Sequence, residues 1–180
     1  MEHLPHLHPL GRDTNHQEEA LSAPTVLLPA DLDQARQIMI AWGHFLALEI
    51  EAAMEVGGEA AHHPFQDYIG LAIKQGEQLA GWIVFGPIPM TDRCWQLYWL
   101  VVAPPLARQG IGQRLMAAMT ETVQQEQGRQ LHLDTSSLPA YLPARRFYEK
   151  NGFRLVAQLP DFFRKGSHKL LYVARAGSTA

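Results

Sequence analysis

A chain of 180 residues, 47% hydrophobic and 18% charged, can bury a sizeable core in one domain and lacks the bias of a disordered or fibrous protein. Its net charge of −3 gives no overall attraction for nucleic acid or anionic lipid. A single cysteine, Cys94, excludes an internal disulfide and any cysteine-built metal site. No apolar run approaches the ~20 residues of a membrane span, and the opening residues lack a secretory pattern. A cytoplasmic protein is expected, with no metal, nucleic acid or membrane as partner.

Residues 1–24 have no apolar period and read as a flexible tail, in which His3, His6, His8 and His16 lack a fixed geometry for a metal. Residues 177–180 read likewise, leaving one domain over 25–176. From Asp31, placed to cap a first turn, Leu32, Ala35, Ile38, Met39, Trp42, Phe45 and Leu46 recur at helical steps. A second helical piece, "ALEIEAAMEV", is expected to stop at Gly57-Gly58. "DYIGLAIKQ" and "QLAGWIVFGPIP" read as strands joined by a "KQGEQ" turn, and "CWQLYWLVV" as a third. Pro104 and Pro105 end that strand, because neither can donate to a sheet ladder. Ile111, Leu115, Met119 and Val123 line one face of a helix running to about Gln127, with Gly128 as its stop. "QLHLDTS" is a strand, "LPARRFYEKNG" a short helix ending at Gly152, and "FRLVAQL" and "KLLYVAR" two last strands. The order indicates a mixed α/β domain without internal repeats.

Where the third strand gives way to a helix, in "VVAPPLARQGIGQRLMAAM", Gly110 and Gly112 sit at a cost of about 1 kcal/mol each relative to alanine. A helix start offers unsatisfied N–H groups and a positive dipole end, which suit phosphate. Glycines there leave the backbone approachable, and Arg108 adds charge. A nucleoside triphosphatase loop is excluded, since Gln113-Arg114 stands where Lys-Ser or Lys-Thr is required. A dinucleotide fingerprint lacks its third glycine, replaced by Leu115, and the strands before it form a meander rather than crossovers. A glycine turn that merely packs helix on sheet stays open on the loop alone.

"VAPPLARQGIGQRL", then "LHLDTS", then "ARRFYEKNGF" together resemble the GNAT superfamily of N-acyltransferases, in a bacterial branch of unassigned substrate. The likeness rests on the Arg/Gln-x-x-Gly-x-Gly/Ala loop and on Ala144, Phe147, Tyr148, Gly152 and Phe153, and covers roughly Thr25 to Arg175. Ala107 departs from the loop pattern, and Tyr141 stands where many members carry an asparagine that holds the pantetheine arm. The resemblance implies a central, mostly antiparallel sheet of about six to seven strands with a splayed parallel pair, flanked by helices. It implies acetyl-CoA as cosubstrate, its pyrophosphate on the amides of Arg108, Gln109, Gly110, Ile111, Gly112 and Gln113, and its pantetheine along Leu100, Val101 and Val102. A backbone N–H near Val101 or Val102 would serve the thioester carbonyl, and Tyr148 would be the acid for the leaving thiolate.

The implied activity is acetyl transfer to a primary amine, on a small molecule, peptide or protein; a non-catalytic acyl-CoA sensor of the same fold is the alternative. The base is left open among Glu49, Glu51, Glu55 and a water relay. His132 could face ligand or solvent, and Arg145 and Arg146 are read as solvent-facing, with the CoA 3′-phosphate within reach as the other use. Tyr98-Trp99 and Phe162-Phe163 could wall a pocket, core being the expected use. A homodimer is compatible with all of this.

Overall fold

A computed structural model of the chain describes residues 20–177. The four tail histidines fall outside the described residues. In chain order the elements are β1 (Thr25–Val26), α1 (Leu32–Trp42), α2 (Ala47–His62), β2 (Ile69–Gln75), β3 (Gln78–Pro87), β4 (Cys94–Val102), α3 (Ile111–Gln125), β5 (Gln130–Ser136), α4 (Leu142–Lys150), β6 (Arg154–Arg164) and β7 (Ser167–Arg175). They build a seven-stranded sheet in the order β1-β2-β3-β4-β5-β7-β6. Every neighbouring pair is antiparallel except β4 and β5.

Both faces of the sheet are covered, which is why β3 is apolar throughout instead of alternating with polar residues. Ile83 and Phe85 point to the side of α3 and meet Ile111, Leu115 and Met119. Trp82 and Val84 point the other way, into a core with Met39 and Ala53 from α1 and α2. Gly81 seats the start of α3: a Cβ there would lie 2.8 Å from Ile111 Cγ2 and 3.1 Å from the Val101 carbonyl oxygen. The beginning of α3 is thereby pressed against β3 and β4.

Several local expectations are corrected. Helix α2 does not stop at Gly57-Gly58 but runs to His62. Ala53, Gly57, Ala60 and Ala61 are buried along it, and this narrow face packs close enough to the sheet to outweigh the glycine penalty. Asp31 does not cap α1. Its carboxylate turns back to accept the Leu28 N–H at 3.0 Å and pairs with Lys74 Nζ at 2.6 Å, almost wholly buried. Residues assigned to the tail join the sheet: Leu21 bridges Gln75, and the Ser22 N–H donates to the Lys74 carbonyl. Helix α3 ends at Gln125, and Gly128 lets the chain pass Val123, where a Cβ would come within 2.2 Å of Cγ1. Strand β6 is longer than expected and exposed along its whole length at the sheet edge. Phe162 and Phe163 therefore lie outside the core, 55% and 48% exposed, with Lys169 Nζ 4.9 Å from the Phe162 ring centroid.

The feature that creates a site is a bulge in β4. Val84 faces Trp99 and Phe85 faces Leu97, leaving Tyr98 without a partner in the ladder. Before the bulge Trp95 and Leu97 face the α3 side; after it Leu100 and Val102 do, while Trp99 and Val101 turn to the α1–α2 side. A bulge also sharpens the twist of its strand. Accordingly β4 and β5 pair only from Cys94–Gln130 to Leu97–Leu133 and then part. The separation starts at Tyr98, well before Pro104, so the bulge and not the prolines opens the gap.

Candidate active site

At the end of β4, Pro104 and Pro105 lead into a 3-10 turn closing at Leu106. Arg108 and Gly110 follow with φ of 66° and 84°, both left-handed. Such a reversal leaves successive N–H groups on the inside of a concavity, an arrangement that suits anions. Among the described residues, no amide from Arg108 through Gln113 donates a hydrogen bond; the helical ladder begins when the Arg114 N–H meets the Gly110 carbonyl at 3.0 Å. Arg108, Gln109 and Gly110 are all exposed, and a Cβ on Gly110 would meet nothing within 4 Å. That glycine serves the backbone conformation. Gly112 is different: its missing side chain faces Phe147 and Val102, at 3.6 and 3.7 Å from a built Cβ, so it admits α4 rather than a ligand. The Gln113 side chain donates to Asn151 Oδ1 at 2.8 Å and ties the first turn of α3 to the end of α4.

The same loop opens onto the gap between β4 and β5. The Ala103 N–H donates to the Ala80 carbonyl at 2.8 Å. By the alternation of an antiparallel ladder, Val101 and Trp99 also turn their backbone groups to β3, while Leu100 and Val102 aim theirs into the gap. Of Leu100, Val101 and Val102, the first and last turn their backbone groups toward the gap and Val101 turns its own toward β3. The Val102 carbonyl accepts a hydrogen bond at 2.8 Å from Nε1–H of Trp42, the last residue of α1.

Helix α4 carries Phe147 and Tyr148 onto the α3-side core, where Tyr148 stacks edge-on with Phe147 and Phe153. Burial, and then the charge of Asp134, push its phenol up to about 12, so the hydroxyl keeps its proton at neutral pH. That hydroxyl has no hydrogen-bond partner among the described residues. Asp134 is itself held by Lys169 at 3.2 Å and by the Gln96 amide at 3.4 Å. Arg145 is not solvent-facing: Nη1 donates to the Ser136 and Leu138 carbonyls at 2.8 and 3.0 Å and staples the end of β5. Arg146 is exposed.

The acids of α2 separate cleanly. Glu51 pairs with Arg36 at 2.5 Å, and that hydrogen bond holds its carboxyl below the usual range. Glu55 is exposed. Glu49 accepts the Leu46 N–H at 2.7 Å, closing the first turn of α2, and its two oxygens lie 3.3 and 3.4 Å from the Tyr141 hydroxyl, which donates. Tyr141 stands in a 3-10 turn (Pro139–Tyr141) after β5. Burial and the Glu49 charge push its phenol up to about 12. His132 lies in the closed part of the parallel pair, opposite Gln96, its Nε2 3.1 Å from Gln130 Oε1, and burial pulls its pKa down. The Tyr98-Trp99 pair is split by the bulge: Tyr98 packs edge-on against Tyr68 at 5.1 Å, and Trp99 faces Phe45 at 6.4 Å.

Sequence reasoning missed the roles of Trp42, His44, Phe45 and Tyr141. Gly43, with φ of 70° after α1, marks a helix end followed by aromatic residues. Nothing local says that these rings meet Tyr141. Among the described residues no group of three or more His, Cys, Asp or Glu is placed to hold a metal ion, and no helix is long and apolar enough to cross a membrane. A hollow of about 430 Å³ lined by Ile69, Pro87, Cys94 and Trp95 lies at the opposite end of β4 from Val102.

The fold and site define a class of mixed α/β protein: a mostly antiparallel sheet that splays at its parallel pair, with a loop of unpaired amides opening the helix after β4. The model of the acetyltransferase (GNAT) family matches residues 37–153, and the chain belongs to that family of acyltransferase enzymes. A GNAT-family protein from Desulfovibrio desulfuricans is 32% identical, with a TM-score of 0.80 over 88% of this chain and 100% of that one. The ribosomal-protein-S18-alanine N-acetyltransferase from Escherichia coli shares the fold at 15% identity, with a TM-score of 0.69 over 89% of this chain and 97% of that one. An aminoglycoside 6′-N-acetyltransferase complexed with coenzyme A shares it at 19% identity, with a TM-score of 0.68 over 88% and 99%. A comparison with curated protein sequences found no match.

Proposed function

We propose that the protein transfers the acetyl group of acetyl-CoA to a primary amine by direct attack, both substrates being bound together, in the cytoplasm. The observation that carries this reading is the unbroken run of unpaired amides from Arg108 through Gln113, opening onto the gap where Leu100 and Val102 present theirs. The coenzyme fits that combination. Its diphosphate matches an N–H cradle at the positive end of α3, with Arg108 at the rim. Its pantetheine amides match the unpaired edge of a strand.

Acetyl-CoA supplies an acyl carbon activated as a thioester, with a thiolate as leaving group. The protein groups do the rest. A gap-facing N–H of Leu100 or Val102 donates to the carbonyl oxygen as it gains charge, a contact whose removal costs about 3 kcal/mol in comparable sites. An ammonium acceptor must lose one proton before attack, and Glu49 is the candidate base whose carboxylate reaches toward the turn after β5. As the C–N bond forms and the C–S bond breaks, the second proton lost by the nitrogen passes to the departing sulfur, which ends as a thiol. Tyr148, near 12, is a much weaker acid than a thiol near 8.5. It therefore acts as a hydrogen-bond donor to the departing sulfur and retains its own proton.

Titration of the purified chain with coenzyme A by calorimetry tests the cradle, and thiol release from acetyl-CoA across a panel of amines tests the chemistry. No heat of binding overturns the reading. Binding without transfer to any amine turns it into the sensor alternative.

A further inference from the structure

We infer that the acceptor is a singly charged primary amine on an aromatic or aliphatic stem, seated among the rings of Trp42, His44, Phe45, Trp99 and Tyr141; this rests on the acetyl-transfer reading. The rings form one contiguous group. His44 lies 5.7 Å from Trp42, 4.4 Å from Phe45 and 5.2 Å from Tyr141, edge-on to the first and last. Phe45 lies 6.4 Å from Trp99 and 6.3 Å from Tyr141. Trp42 anchors the group to the gap itself through the Val102 carbonyl. Trp99 and Val101 point to this side, while Leu100 and Val102 face the α3 side, where the cradle lies. The rings thus approach the gap from the face opposite the cradle.

The chemistry selects a class of ligand. Aromatic faces attract an ammonium by about 0.5–2 kcal/mol each, more as water is excluded, and they cover a carbon stem equally well. Trp42 is 38% exposed and the other rings are half-buried, so the group is reachable from solvent. Among the described residues one carboxylate, Glu49, touches it, and the Tyr141 hydroxyl directs its hydrogen there. That leaves the phenol oxygen free to accept from the ligand. A polycationic aminosugar would ask for several carboxylates and many polar partners. Glu51 is already committed to Arg36 and offers no second counter-charge.

The test uses the full chain with saturating acetyl-CoA and compares 2-phenylethylamine and hexylamine with a polycationic aminoglycoside and a tripeptide. Expected is a kcat/KM at least tenfold higher for the two simple amines. Tyr141→Leu should raise their KM about tenfold, the size of one partly desolvated cation–ring contact. Tyr141→Phe should restore it to within about threefold, since the ring is kept. Coenzyme affinity measured by calorimetry should not move in either variant, and that same signal shows each to be folded. A preference for the aminoglycoside or tripeptide, or an unchanged KM in Tyr141→Leu, overturns the inference while leaving acetyl transfer intact. Failure of the wild-type chain to bind coenzyme A overturns both, and is read separately.

Discussion

The indole N–H of Trp42 donates to the carbonyl of Val102 across 60 residues of sequence, at 2.8 Å. It occupies a backbone acceptor that the missing strand neighbour would otherwise use. Any extended ligand that pairs with β4 along the gap has to displace this bond or do without its acceptor. A net hydrogen bond in water is worth about 1 kcal/mol. Trp42→Phe is therefore expected to tighten coenzyme A binding by about two- to tenfold in calorimetry. Weaker binding would show that the indole supports the coenzyme site instead of competing for it.

Tyr148→Phe removes the hydroxyl and keeps the ring that packs on Phe147 and Phe153. We expect kcat to fall by about a hundredfold, in the range for loss of a positioned donor, with coenzyme affinity unchanged. Because the wild-type phenol titrates near 12, the pH–rate profile should show no decline due to Tyr148 below about pH 10. A turnover equal to wild type would remove Tyr148 from the mechanism.

The same residue links stability to alkaline pH. Its folded pKa is raised from 10.0 to about 12, so the folded state holds the proton more tightly than the unfolded chain. The contribution is complete below pH 10 and is lost as pH rises through the interval to 12. Tyr141 adds to it in the same direction. Urea midpoints measured from pH 8 to 11 should fall for the wild type and fall less steeply for Tyr148→Phe.

Two glycines give opposite expectations. Gly58 lies in α2 with nothing within 4 Å of a built Cβ, so Gly58→Ala should stabilise the fold by about 0.5–1 kcal/mol. Gly110 has equally open surroundings but a φ of 84°, and Gly110→Ala should destabilise by about 1–2 kcal/mol. The variant should also weaken coenzyme A binding, because the loop can relieve strain only by turning its amides. Equal effects of the two substitutions in thermal unfolding would contradict the conformational role assigned to Gly110.

Asp31 is almost fully buried against Lys74, whose own side chain is 24% exposed. Lys74→Met leaves that carboxylate without its counter-charge and should destabilise by about 3 kcal/mol near neutral pH. Lys74→Arg keeps a counter-charge beside that carboxylate and should lose much less stability than Lys74→Met in urea unfolding. Equal losses in the two variants would place the cost in packing rather than in charge.

Much of this architecture was legible because it depends on neighbours in sequence. The four-residue spacing of Ile111, Leu115, Met119 and Val123 is set by the helical turn, and the expected strand "QLHLDTS" is β5 from end to end. The loop from Arg108 to Gln113 was recognisable for the same reason: a strand, a glycine turn and a helix start are local events. Gly57-Gly58 misled because local propensity predicts a stop, whereas close packing on the sheet carries α2 through it. Phe162 and Phe163 misled because composition does not reveal that β6 is the sheet edge.

The sequence by itself determined the order of elements and the phosphate-suited loop, while Tyr148 entered as a candidate donor only through the family resemblance. Only the tertiary structure decided which residues look into the gap. A single bulge at Tyr98 inverts the alternation of β4, so Leu100 and Val102 face it and Val101 does not. Only the fold, likewise, brings Glu49 to Tyr141 from 92 residues away and leaves Glu51 with Arg36. Backbone periodicity is short-ranged and can be read along a chain. The meeting of side chains from separate elements is settled by how two cores close on opposite faces of one sheet, and no local pattern encodes that closure.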